Sequence, residues 1–230
     1  MKAKILVMTE KREYVRQVVA YANYFKDFKK TLSRDTLRKI YQIFIYIMTL
    51  EQVPEKFLKA VVEVHGLFEV RVEEGGNIYR IFCCMDEGNL VILFNGFQKK
   101  TQKTPPGEIK RAKRIMDEYF YCKKMKGKTN NEELKARGCT PIEDLIAEDF
   151  GALGTTERNE FESGCEAFII GEQLKAERLK AGMTQEQLAA RIGTKKSYIS
   201  RIENGHADIQ LSTLFKIFQG LGRKISFTIM

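Results

Sequence analysis

Residues 67–82 read LFEVRVEEGGNIYRIF: two runs of β-branched, aromatic and charged residues flanking Gly75-Gly76. Two consecutive glycines between such runs fit a two-residue type I′ hairpin, in which both central positions need positive φ. That turn places Glu74 opposite Asn77, and counting back along the ladder puts Arg71 opposite Arg80. A third run, Leu90 to Asn95, follows Glu87-Gly88. Reading that pair as a second two-residue loop sets Asp86 against Asn89 and Arg80 against Asn95. Arg71, Arg80 and Asn95 then form one row, with Phe68, Val70, Val72, Tyr79, Ile81, Ile92 and Phe94 on the opposite, core-facing side. Like charges directly opposite each other destabilise a sheet. Two arginines so placed point to an anion, although a solvated basic face fits the same pattern.

Around this meander the chain reads as α+β. Val18 to Ala22 is a short β-leaning run. From Asp35 to Met48 apolar residues recur at Leu37, Ile40, Phe44 and Ile47, a helical period. Pro105-Pro106-Gly107 precedes a helical stretch, Glu108 to Tyr121. The expectation is a small antiparallel sheet packed on helices over residues 14–122. A polar stretch within 123–139 is expected to be a linker. The net charge of +9 is unevenly spread. Residues 1–124 hold 24 Lys and Arg against 15 Asp and Glu; 126–166 hold 5 against 10; 172–230 hold 10 against 5. The chain is basic, acidic, then basic. No apolar run approaches the roughly 18 residues of a membrane span. Five cysteines, an odd count without ligand spacing, argue against a disulfide framework and a zinc site, and fit a reducing cytoplasm. No metal or cofactor is expected.

The N-terminal stretch carries no His/carboxylate pair, no reactive-cysteine signature and no Gly-rich phosphate loop; its chemistry is cationic. The strand after Asn95 runs into Gly96-Phe97-Gln98-Lys99-Lys100-Thr101-Gln102-Lys103. Together with Val53-Pro54-Glu55-Lys56-Phe57-Leu58, Gly66 to Arg71 and Gly76 to Phe82, this stretch resembles the RelE/HigB toxin superfamily, in its phage-derived host-inhibition-like branch. The resemblance covers Phe25 to Tyr121. It implies a ribosome-dependent, metal-independent mRNA endonuclease in which the ribose 2′-hydroxyl attacks the adjacent phosphate. Arg71 and Arg80 would stabilise the charge growing on the phosphoryl oxygens. Lys99 or Lys100 would act as general acid or base: lysine starts near pKa ~10.4, and neighbouring cations favour its neutral form. Asn95, Gln98 and Lys103 are RNA-binding candidates.

The last sixty residues read as a compact helical module. Glu172 to Ala181 is a helix ended by Gly182. Thr184-x-x-Gln187 is a capping box opening Gln185 to Ile192. Gly193 ends that helix, and Thr194 or Lys195 opens another, which runs to Glu203 before Asn204-Gly205. Ser212 begins a fourth, and Lys224 to Ile229 is a β-like tail. Two short helices joined at a tight turn form a helix-turn-helix, whose second helix enters the major groove. The residues Thr184 to Ala189, Ile192-Gly193 and Ser197 to Gly205 closely resemble the Cro/C1-type helix-turn-helix family. Lys196, Ser197 and Arg201 can share one exposed face, with Ile199 and Ile202 turned to the core. The resemblance implies base contacts from these three, and phosphate contacts from Gln185 and the helix N-termini, near which Lys195 lies. Tyr198 either packs under the helix or touches a thymine methyl.

Thr140 to Met230 as a whole resembles a HigA-type antitoxin. Residues 140–170 form an acidic helical segment, here expected as two helices punctuated near Gly151–Gly154. Residues 171–230 form the DNA-binding domain. Met125 stands where a separate antitoxin would start, so the chain is either a natural fusion or two joined polypeptides. The acidic segment, with Glu143, Asp144, Glu148 and Asp149 and the anchors Ile142, Leu145, Ile146, Phe150, Phe161 and Phe168, is expected to dock on the basic domain, within or between chains; alternatively it serves the DNA-binding module's own core. The expected partners are ribosome-bound mRNA and, for a homodimer, operator DNA, without a membrane. The competing reading is a transcriptional regulator whose RelE-like domain is catalytically inactive.

Overall fold

The computed structural model describes residues 2–6, 14–101, 103–126, 131–207 and 209–228. The chain divides into two compact units: residues 13–155, and residues 156–230 together with residues 1–12.

The first unit is built on a six-stranded sheet of order β3-β4-β5-β6-β2-β7. Its strands are β2 (Gln17–Tyr21), β3 (Leu58–Ala60), β4 (Leu67–Glu74), β5 (Asn77–Asp86), β6 (Leu90–Lys99) and β7 (Cys139–Pro141). The helices are α1 (Tyr24–Lys29), α2 (Arg34–Thr49), α3 (Pro106–Lys126), α4 (Asn131–Ala136) and α5 (Ile142–Phe150). All neighbouring strands are antiparallel except β2 and β6, which run parallel. The sheet is therefore mixed, because the helical stretch α1–α2 and the β3–β5 meander separate β2 from its partner.

The first hairpin has the expected register: Gly75 and Gly76 both take positive φ, Glu74 faces Asn77, and Arg71 faces Arg80. The second does not. Asp86 pairs with Leu90, so the turn holds three residues, with Glu87 and Gly88 at positive φ. That one-residue shift exchanges the faces of the first half of β6. Ile92 and Phe94 join Leu67, Phe82, Cys84, Ile115 and Tyr119 in a buried cluster with α3, rather than the face of Val70. A bulge between Ile81 and Cys83 adds a second shift, and Arg80 faces Phe97, not Asn95. The face of Val70 packs on α2, whose Leu37, Ile40, Phe44 and Ile47 are buried as the helical period requires.

Two expected boundaries are corrected. The linker expected over 123–139 is structured where described: α3 continues to Lys126, α4 follows, and β7 pairs with the edge of β2; residues 127–130 lie outside the described residues. The acidic segment 140–170 is not one unit. Its first half, through α5, belongs to the sheet unit, and its second half belongs to α6 (Thr156–Lys180), a continuous helix of 25 residues. The helix expected to start at Glu172 is thus the end of α6. Gly171, read as a boundary, instead permits close packing: a Cβ there would lie 2.4 Å from the carbonyl oxygen of Ile202.

Docking of α5 rests on a charged cluster. Lys29 Nζ is 2.7 Å from Asp149 Oδ1 and 3.2 Å from Glu148 Oε2, and the Tyr41 hydroxyl donates to Asp149 Oδ2 at 2.6 Å. Burial and that bond push the Tyr41 pKa up. Phe150 meets the Tyr41 ring edge-on, beneath the guanidinium groups of Arg34 and Arg38. Tyr14 donates to Glu143 at 2.8 Å.

The second unit contains α6, α7 (Gln185–Ile192), α8 (Lys196–Glu203) and α9 (Leu211–Gly220), with a two-stranded parallel pair of β1 (Lys2–Leu6) and β8 (Lys224–Thr228). The β-like tail therefore pairs with the start of the chain; Ile229 lies outside the described residues. Among the described residues no helix is long and apolar enough to cross a membrane.

Lys29 is 8% exposed, so removing its closest partner, the 19% exposed Asp149, leaves a charge poorly compensated. Asp149→Ala should destabilise the α5 docking by about 2–3 kcal/mol, read as faster hydrogen exchange at α1 and α2 amides. Unchanged exchange would assign the docking to apolar contacts alone.

Candidate nucleic-acid interfaces

Two separate surfaces carry the expected site residues. On the sheet unit, Arg71 and Arg80 stand side by side across β4 and β5. Glu69, two residues before Arg71 on the same face, has its Oε1 3.4 Å from Arg71 Nε and 3.5 Å from Arg80 Nε. Neither Nε has a hydrogen-bond partner among the described residues. Arg80 is 2% exposed and donates through Nη1 to the carbonyl of Tyr79 at 2.8 Å. Burial lowers its pKa, Glu69 and Glu73 oppose that, and Arg71 adds to it. One close carboxylate thus serves two guanidinium groups.

Arg71, Glu69 and Phe82 line a groove of about 710 Å³. Lys59, Lys103, Lys110 and Lys113 add charge to its walls, and Val61, Val62, Val64 and Ile109 make it partly apolar. Arg71 reaches this groove. Arg80, beside it in the same row, is not part of the lining. Lys59, Lys110 and Lys113 were not anticipated, since they come from β3 and α3, whose approach to Arg71 only the tertiary fold creates. The remaining expected residues separate. Lys99 pairs with Ile78 at the end of β6, two residues beyond the partner of Arg80 and on the same face, and Lys100 follows it, exposed. Gln98 points to the other face, where its Nε2 donates to Asn77 Oδ1 at 2.9 Å. Asn95 is 1% exposed and donates to Glu108 Oε2 at 2.9 Å, fastening the first turn of α3 to β6. Its burial departs from the open row in which the sequence reading places it. Gln102 lies outside the described residues.

In the second unit, Thr184 and Gln187 form the expected reciprocal capping box on α7, and Gly193 ends the helix in the left-handed conformation. Ile199 and Ile202 of α8 are buried with Leu174, Leu188 and Phe218. Below them Arg178 Nε and Nη2 donate to Glu203 at 2.5 and 2.8 Å, which raises the arginine pKa despite burial. Gln185 Nε2 also donates to Glu203, at 2.8 Å, which uses one of its two amide N–H groups and leaves the other. Ser197, Tyr198 and Arg201 line a shallow concavity of about 510 Å³ with Thr194 and Lys195. Tyr198 packs against the module's core and also lines the concavity. Lys196 does not line the concavity; its Nζ is 2.5 Å from Glu186, whose pKa it lowers.

Fold and sites together define a protein of two modules, a mixed α/β domain with a cationic groove and a helix-turn-helix regulator module. Residues 24–117 match the family described as phage derived protein Gp49-like (DUF891), and residues 174–227 match the helix-turn-helix family. The chain is 40% identical over 52 residues to antitoxin HipB of Escherichia coli O6:H1, covering 23% of this chain and 55% of that protein. It is 38% identical over 65 residues to an uncharacterized HTH-type transcriptional regulator of Haemophilus influenzae, covering 28% and 65%. It is 33% identical over 54 residues to the uncharacterized HTH-type transcriptional regulator y4dJ of Sinorhizobium fredii, covering 24% and 70%. The chain thus spans a little over half the length of the HipB antitoxin and just under two thirds of the Haemophilus protein. Through its C-terminal module the chain belongs to the family of helix-turn-helix transcriptional regulators.

A bidentate arginine contact to a base is worth about 1–3 kcal/mol of discrimination. Arg201→Ala should therefore relax sequence preference about 5- to 150-fold on DNA selected from random duplexes, whereas Lys196→Ala weakens all duplexes alike. Unchanged selectivity in Arg201→Ala would remove α8 from the base-reading role.

Proposed function

We propose that the chain is a toxin–antitoxin protein. Its N-terminal domain is a RelE/HigB-like endoribonuclease that cleaves mRNA on the ribosome. Its C-terminal HigA-like module binds operator DNA, as a homodimer, and represses its own operon in the cytoplasm. The observation that carries the enzymatic half is the pair Arg71 and Arg80, held together with one close counter-ion at a groove edged by four lysines. An RNA phosphate entering there meets an excess of donors already in place, the preorganisation that stabilises developing phosphoryl charge. In this reading Arg71 contacts the phosphate and Arg80 supplies field and position from beside it. Lys99 and Lys100 remain the candidates for proton transfer, and Lys103 for binding. Similarity to HipB and to the Gp49-like family supports the pairing of the two modules.

The docking of α5 supplies the toxin–antitoxin contact within one chain. It lies against α1 and α2, on the face and edge of the sheet away from the arginine groove. Neutralisation by this helix acts by obstructing the ribosome, not by filling the groove. One observation favours the inactive-regulator reading: Glu69 already occupies the side of both arginines that an anion would approach.

Expression of residues 1–126, which removes α4, β7, α5 and the whole helix-turn-helix module, separates the two. Growth arrest with new mRNA 5′ ends, abolished by Arg71→Ala, is the expected result. Normal growth and intact mRNA, with the fragment folded by circular dichroism, would establish the regulator reading.

A further inference from the structure

A second cleft, of about 500 Å³, opens on the opposite face of the sheet, between the α1–α2 turn and the end of the β4–β5 hairpin. Its side wall is aromatic. Phe28 is seated there because β6 carries glycine at position 96: a Cβ on Gly96 would lie 2.2 Å from the Phe28 ring. Tyr79 is 8% exposed, and its hydroxyl makes no hydrogen bond to the described residues, though the ring lines the cleft. The hydroxyl is not one of the buried, unpartnered polar atoms among the described residues, so it reaches the solvent of the cleft and is open to a ligand there. Beside it stand the amides of Asn77 and Gln98, joined by one hydrogen bond. That bond consumes one Gln98 donor and one Asn77 acceptor, leaving the Gln98 carbonyl oxygen to accept and both side-chain amides with N–H groups to donate.

The charge of the lining selects the ligand. Asp35 and Glu74 contribute carboxylates, and no Lys or Arg lines the cleft. A phosphate is disfavoured there, in contrast to the arginine groove. A planar, uncharged group with donor and acceptor edges fits: it would stack on the rings and bond the amides, as a single-stranded RNA base does on aromatic and amide side chains. The strand itself connects the two faces. Gln98 and Lys99 are consecutive on β6, so one turns into the cleft and the other onto the arginine face. Lys99 stands two residues, about 7 Å, along the strand from the partner of Arg80.

The geometry points to this cleft as a nucleobase pocket, taking a base of the RNA whose phosphates lie over Arg71 and Lys99. The assignment deepens the RNA-enzyme reading and rests on it for the substrate. It also explains why Gln98, grouped by sequence with the arginine row, lies on the other face.

The test uses the full chain and nucleosides, which lack phosphate. Titration with adenosine, guanosine, cytidine and uridine, followed by NMR, should shift the side-chain NH₂ signals of Asn77 and Gln98 saturably for at least one base. Tyr79→Phe should weaken that binding about fivefold, the effect of one neutral hydrogen bond, while Arg71→Ala leaves it unchanged. Nucleoside binding without RNA cleavage would retain the pocket and reject the nuclease; cleavage without nucleoside binding would do the reverse. Failure of all four nucleosides to move these amides overturns the pocket. A shift produced instead by N-acetyl-argininamide overturns it in favour of a protein contact.

Discussion

The placement of Arg71 opposite Arg80 is the constraint on which the first unit turns. Two cations at adjacent cross-strand positions weaken a sheet, and burying one of them adds a desolvation cost. The sheet tolerates this because Glu69 lies against both, while Val70, Val72, Ile81 and Phe82 hold β4 and β5 together on either side. The Gly75-Gly76 turn fixes the pairing, since both residues adopt a conformation that other residues rarely take. A one-residue slip would turn one arginine onto the α2 face. The groove, its lysines and the α3 packing all take their positions from this register.

Docking of α5 shows the same economy with charge. The acidic segment does not neutralise the chain by spreading over its basic surface. Asp149 concentrates on one buried lysine and one tyrosine, and Phe150 fills the space beneath two arginines. Within the same unit the basic groove remains open. On α8 the cation of Lys196 is paired locally with Glu186.

Legibility in the sequence follows the range of the interaction. The capping box at Thr184 and Gln187, the stop at Gly193 and the turn at Gly75-Gly76 are set by residues within four positions, and each is readable. The second hairpin misleads because Glu87 accepts positive φ in a three-residue turn and the bulge beyond Ile81 carries no residue signature. The two shifts leave Asn95 on the arginine face but beside α3, where Glu108 takes its amide. The domain boundary set at Gly171 fails for another reason: a glycine between two segments and one that admits a neighbouring backbone look alike until the neighbour is known. The three residues of β7 are too few for any period, and the partners of Asp149 lie more than a hundred positions away.

The central claim is that the paired arginines form an anion site for RNA. The Nε–Hε groups of Arg71 and Arg80, both without hydrogen-bond partners, report on it directly by NMR. Titrating the full chain with a short 2′-O-methyl oligoribonucleotide, which binds without being cleaved, should move the Arg71 signal saturably, with the Arg80 signal following. Both signals remaining fixed while RNA binds elsewhere on the chain would contradict the account.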